Sequence, residues 1–219
     1  MLLSHEHKFL YIAIHKTAST SVRRRLQKYS DVKVVTDSNS PYFFHATASS
    51  LVDEFAINKW SWSSYFKFAF VRNPWERLVS AYFYRQKMVK KWKQTPPKND
   101  FYRDVNESFS HELGTTKNFK DWLQKYLING KREIAMHQYK YIVDENQKLL
   151  IDFVGKLENI NKDFNKITTK IGLDVKPLDN QNRSCHTDYT SYYDEYTQKL
   201  VEDYYSVDIN LFEYEYNEK

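Results

Sequence analysis

Glycine is scarce in this chain, with four residues in 219, alongside five prolines and one cysteine. A single thiol, Cys185, can build neither a disulfide framework nor a cysteine-rich zinc site, and it fits a reducing compartment. Long apolar runs are also missing. The N-terminal stretch "MLLSHEHKFLYIAIHK" has neither the cationic start nor the extended apolar core of a secretory signal, and its apolar part is far too short to span a bilayer. The expectation is a soluble, cytoplasmic protein with no transmembrane segment. Internal repeats and low-complexity segments are absent, as is any run of metal-ligand spacing, so no metal site is expected.

What is present is a globular composition. Hydrophobic residues make up 41% and aromatic residues 17% of the chain, enough for a real core. The length predicts one domain over 1–219, with little room for a second. The formal charge of +5 and pI near 9.0 suit an anionic ligand such as a nucleotide or acidic polymer.

Strand-like and helix-like segments alternate. "KFLYIAI" (8–14) reads as a buried parallel strand, "SVRRRLQKY" (21–29) as a helix capped by Ser/Thr, and "DVKVVT" (31–36) as a second strand. "HATASSLVDEFA" (45–56) has helical spacing, with Leu51, Val52 and Phe55 toward one side. "YFKFAFVR" (65–72) is a third strand. Pro74 then opens a long helix over 75–93, which "TPPKND" ends. Residues 99–116 read as a long variable loop. "NFKDWLQKYLI" reads as a helix, "QKLLIDFVGKL" contains a fourth strand, and "ENINKDFNKITTKI" is the helix after it. An irregular stretch over 177–188 precedes a last helical segment, 191–212. The alternation predicts an α/β fold with a central parallel sheet flanked by helices, whose ligands sit at the carboxyl ends of the strands.

Two strand-to-helix junctions carry the chemistry. "HKTASTSVRRR" (15–25) supplies Lys16, Thr17, Ser19, Thr20 and Ser21 where free N–H groups and the helix dipole favour an anion. It has neither the glycines nor the terminal Lys-Ser/Thr pair of a Walker loop. "FVRNPWERLVSAY" (70–82) repeats the geometry, with Arg72 at a strand tip, Ser80 about two turns into the helix, and Arg77 on a neighbouring face. Two anion sites at strand ends suggest one ligand with two phosphate-like groups.

"IHKTASTS" and "FAFVRNPWERLVSAYFY" together resemble the 5′- and 3′-phosphate signatures of sulfotransferases that use 3′-phosphoadenosine 5′-phosphosulfate. Among these the chain is most similar to the membrane-type carbohydrate sulfotransferases and their bacterial relatives. "HATA", "DFVGKLENINKDF", "NRSCHTDYTSYYDE" and "YYSVDINLFEYEY" match in order, so the resemblance covers nearly the whole chain. It implies a P-loop-like sulfotransferase fold, in which Lys16, Thr17, Ala18, Ser19, Thr20 and Ser21 hold the 5′-phosphosulfate. It further implies that Arg72 and Ser80 hold the 3′-phosphate, with Arg183 and Ser184 in a closing loop. His15 and Ala18 stand where the family often has proline and glycine.

The implied reaction is in-line transfer of a sulfuryl group to an acceptor hydroxyl, most readily on a carbohydrate. A small-molecule or lipid-linked acceptor is the alternative, and a P-loop nucleotide kinase or a catalytically silent binding module are the rivals. Neither the resemblance nor the residues point to nucleic acid as a partner. Lys16 neutralises charge on the bridging oxygen, so no essential metal is expected. The candidate base is His45, with Glu54 and His15 as alternatives. "RQKMVKKWKQTPPK" is either a solvated helix face or a surface for an acidic glycan with Trp92 stacking on sugar.

Overall fold

The computed structural model describes residues 1–128, 136–178 and 187–217; Arg183, Ser184 and Cys185 lie outside them. The chain forms two compact units. One joins Met1–Arg72 with His137–Asn182, and the other joins Asn73–Met136 with Arg183–Lys219.

The first unit holds the sheet. Four strands, β1 (Leu2–Ser4), β2 (Phe9–Ile12), β3 (Phe66–Val71) and β4 (Phe153–Lys156), lie in the order β1-β2-β3-β4. β2, β3 and β4 are parallel, as the alternating pattern predicts. β1 is antiparallel to β2 and makes the sheet mixed, pairing Leu2 with Tyr11 and Ser4 with Phe9. It escapes prediction because three residues carry no periodicity. All seven residues of β1 and β2 are buried, which explains the continuous apolar run.

Between β2 and β3 come α1 (Ser19–Leu26) and α2 (Ala48–Ile57). The strand expected at 31–36 is not formed, and only an isolated bridge joins Val35 to Phe43. Val34 is 55% exposed, so β-branched residues here lack the burial that makes a strand worthwhile. α6 (Ile160–Lys170) follows β4, and its Phe164 and Ile167 join Phe9, Tyr11, Val22, Phe68 and Phe70 in the core of this unit. Buried Lys67 of β3 is held by the carbonyls of Trp62 and Tyr65 and by Asp152, 2.8 Å away.

The second unit is helical. α3 (Pro74–Gln94) begins three residues after β3 ends. Asn73 caps it by accepting from the Trp75 N–H at 3.1 Å, and Pro74 occupies the first turn. The segment expected as a variable loop is instead a helix, α4 (Asp100–Gly114). Phe101, Val105, Phe109 and Leu113 recur every four residues, a helical stripe that a mostly polar background conceals. Arg85 of α3 and Glu112 of α4 form an ion pair at 2.7 Å, and Phe109 stacks on Trp92. α5 (Phe119–Ile128) adds Trp122 and Leu123 to the core of this unit. The C-terminal segment divides into a 3-10 turn (Tyr189–Tyr192), α7 (Glu195–Tyr204) and α8 (Ser206–Phe212). Among the described residues no helix is long and apolar enough to cross a membrane.

Candidate active site

The loop after β2 is built without glycine, and two of its residues nevertheless take up left-handed backbone. Lys16 lies at φ 65° and Ala18 at φ 59°, ψ 23°. Thr17, between them, is not left-handed, and alternation of this kind turns successive N–H groups toward one side and makes a concave anion cradle. Ala18, not a serine or threonine, is the cap of α1, and no side chain caps that helix. The first-turn N–H groups are therefore not claimed by a capping hydroxyl.

The hydroxyls divide by position. Thr17 is fully buried, and its Oγ1 donates to the Ile14 carbonyl at 3.0 Å, so it braces the loop from inside. A phosphate oxygen has no proton to share with it, which leaves the Thr17 backbone as the part able to meet an anion. Ser19 is buried, Ser21 half-buried and Thr20 exposed.

Arg72 follows β3 directly and is 8% exposed. Its Nη1 donates to the Lys16 carbonyl at 3.3 Å, so the two cationic residues singled out in the sequence do come together. Gln138 fixes this arrangement, a role sequence reasoning missed. Its side-chain amide accepts from the Arg72 N–H at 2.9 Å and donates to the Arg72 carbonyl at 2.8 Å, while Gln138 itself is fully buried. A side chain thus completes the pairing that a further strand residue would supply. No local signal marks this, since the partners are 66 residues apart.

His45 reaches the same loop from the segment before α2. Its Nδ1 donates to the Ala13 carbonyl, and because a carbonyl can only accept, Nδ1 carries the proton and Nε2 holds the lone pair. Burial lowers the His45 pKa well below 6.5, and the neighbouring His15 lowers it further. The ring is therefore neutral at neutral pH, with Nε2 able to accept a proton. The alternative base Glu54 sits on α2 and accepts from the Tyr42 hydroxyl at 3.2 Å.

Ser80 and Arg77 belong to the second unit. Ser80 is buried in α3. Arg77 is 1% exposed, donates to the Met136 carbonyl at 3.0 Å and lies over the Tyr205 ring, which makes it a core cation of that unit. Trp92 is buried against Phe109 and Tyr102, so its ring is not presented for stacking on sugar.

The loop after β2 with its leading lysine, the arginine at the tip of β3 and a neutral histidine bonded to the Ala13 carbonyl thus meet at the ends of β2 and β3. The chain matches the model of the sulfotransferase family over residues 1–215 and belongs to that family. It is 26% identical over 182 residues to carbohydrate sulfotransferase 14 of Danio rerio, covering 78% of this chain and 48% of that protein. To carbohydrate sulfotransferase 11 of Rattus norvegicus it is 24% identical over 206 residues, covering 79% and 53%. The chain thus spans about half the length of these curated relatives. Among solved structures, mouse sulfotransferase SULT7A1 complexed with PAP shares the fold, with a TM-score of 0.55 over 98% of this chain and 91% of that one, at 13% identity.

Proposed function

We propose that this protein transfers a sulfuryl group from 3′-phosphoadenosine 5′-phosphosulfate to a hydroxyl of a carbohydrate. One observation carries the reading. Four consecutive residues, Ala13 to Lys16, touch both halves of the chemistry: the Ala13 carbonyl orients His45, and the Lys16 carbonyl receives Arg72. Family membership and the names of the two carbohydrate sulfotransferases support the reaction and the acceptor class. The PAP in the mouse structure supports the donor.

The donor, when bound, supplies a sulfuryl group on a nucleotide phosphate that leaves readily. The cradle fits its anionic end: Lys16 leads a loop with two left-handed residues, and Arg72 stands against that loop. Lys16 neutralises the charge that grows on the departing phosphate oxygen. Thr17 and Ala18 contribute backbone, Ser19 and Thr20 contribute first-turn N–H groups and hydroxyls, and Ser21, whose N–H donates to the Ala18 carbonyl at 2.9 Å, contributes its hydroxyl. Arg72 and Ser80 select the 3′-phosphate, an assignment that for Ser80 rests on the sequence resemblance, as it does for Arg183 and Ser184. His45 takes the acceptor proton on Nε2 and holds the resulting charge only transiently, because its surroundings disfavour the imidazolium.

The test is transfer of labelled sulfate to a panel of oligosaccharides, with chelator present. Lys16→Ala and Arg72→Ala should each lower kcat/KM by about 100-fold or more. Full activity in either variant would overturn the site assignment, and activity that chelator abolishes would overturn the metal-free mechanism.

A further inference from the structure

His15 occupies the position where the family resemblance leads one to expect proline, and its ring lies flat on that of His45. The centroids are 3.5 Å apart and the planes 26° from parallel. Tyr141, itself buried, meets the His15 ring edge-on at 6.2 Å. Phe44 packs against His45 at 4.4 Å and Phe43 at 6.2 Å. His45 is thus held by one hydrogen bond to the backbone and one stacked ring, with aromatic walls around both.

We infer that His15 is a positioning residue for His45, holding its ring in the tautomer and orientation that leave Nε2 open and excluding a proton from it until an acceptor delivers one. This rests on the reading of His45 as the base. Two imidazoles in face contact cannot both be protonated without strong repulsion, so the pair titrates as a unit. The other groups acting on His45 are Arg23 of α1, whose guanidinium lies over the Phe44 ring, and the Met1 amino group, which donates to the Phe44 carbonyl and whose own pKa burial pushes well below 8.0. Arg23 is cationic, and no carboxylate offsets it among the influences on this ring. The arrangement therefore acts in one direction: it keeps His45 in its proton-accepting form at pH values where an ordinary histidine is largely charged.

The sign follows. Lowering the pKa of a base extends the acid side of its activity profile. Relieving the restraint should raise the His45 midpoint and move the acid limb of kcat/KM to higher pH. His15→Phe keeps a stacked ring but removes the second titrating group. His15→Ala removes both and opens the His45 face to water.

The experiment is a proton–nitrogen NMR titration of the His45 imidazole in the ligand-free protein, paired with the pH profile of transfer. We expect the midpoint to rise by about one pH unit in His15→Phe and further in His15→Ala. The acid limb should shift by the same amounts, and the Nδ1-protonated tautomer should persist in His15→Phe alone. An unchanged midpoint and tautomer in both variants would overturn the inference. Because the titration needs neither donor nor acceptor, it separates the two readings. A shifted midpoint in a protein that transfers no sulfate upholds the pairing and sinks the proposed reaction. Normal transfer with an unmoved midpoint does the reverse.

Discussion

Ala18 carries a methyl group at φ 59°, in backbone territory that L-residues other than glycine, asparagine and aspartate seldom occupy. That methyl costs about 1–2 kcal/mol in the folded state, against about 0.5–1 kcal/mol of extra chain entropy that glycine would lose on folding. Ala18→Gly should therefore raise the free energy of unfolding by about 0.5–1 kcal/mol, read from the midpoint of urea denaturation. A loss of stability would show that the methyl packs usefully and that the strain is small. The motif was legible residue by residue in the sequence, including its missing glycine. That Thr17 turns its hydroxyl inward to Ile14, and that Ala18 takes the cap position, was not, because both depend on φ angles that the neighbouring strand and helix impose.

At the level of elements, β4 depends on one small residue. A Cβ on Gly155 would stand 2.5 Å and 2.7 Å from two ring carbons of Phe70, its partner across the β3–β4 pair, and 3.3 Å from Asp163 Cβ. Phe70 is fully buried and its ring has no solvent side to retreat toward. Gly155→Ala should destabilise the protein by about 1–3 kcal/mol through overpacking, measured by thermal or urea unfolding. A neutral substitution would mean that the core of this unit is looser than its burial indicates. The helices α1, α2, α3, α5 and α6 and the strands β2, β3 and β4 follow from apolar spacing and breakers, since those signals are local. β1 is too short to carry a period. α4 hides its four-residue stripe among charges and is completed by Arg85–Glu112 and by Phe109 on Trp92. The 31–36 segment has strand-forming residues but no neighbour to bury them.

For the whole molecule, the net charge of +5 and the cation-lined loop ends favour a doubly phosphorylated nucleotide over a neutral one. A ligand that binds only the folded state at 100 times its Kd adds about 2.7 kcal/mol of stability, which at this chain length raises Tm by roughly 5–10 °C. Adenosine 3′,5′-bisphosphate should produce that shift in the full chain, and ATP at equal concentration a smaller one, because it lacks the 3′-phosphate. A larger shift with ATP, dependent on magnesium, would favour the kinase reading. The tyrosine-rich C-terminal segment belongs to the same scale: Tyr189 and Tyr205 are buried in the core of their unit, Tyr192, Tyr193 and Tyr204 pack on it, and Tyr196 stays exposed. Core and rim, not a sugar platform, account for most of that aromatic content.

The sequence by itself determined the α/β class, the family and the two strand-to-helix junctions, because each is written in short spans whose period and order survive without the fold. Only the tertiary structure decided how those spans meet. Gln138 clasps Arg72 across 66 positions, His45 finds Ala13 across 32, and His15 lies face to face with His45. Such contacts depend on strand register and on the path of the intervening chain, and no local pattern of residues encodes either. The proposed chemistry needs both levels: side chains of the right kind at the loop, and a fold that brings a neutral histidine and a second cation to the same few peptide groups.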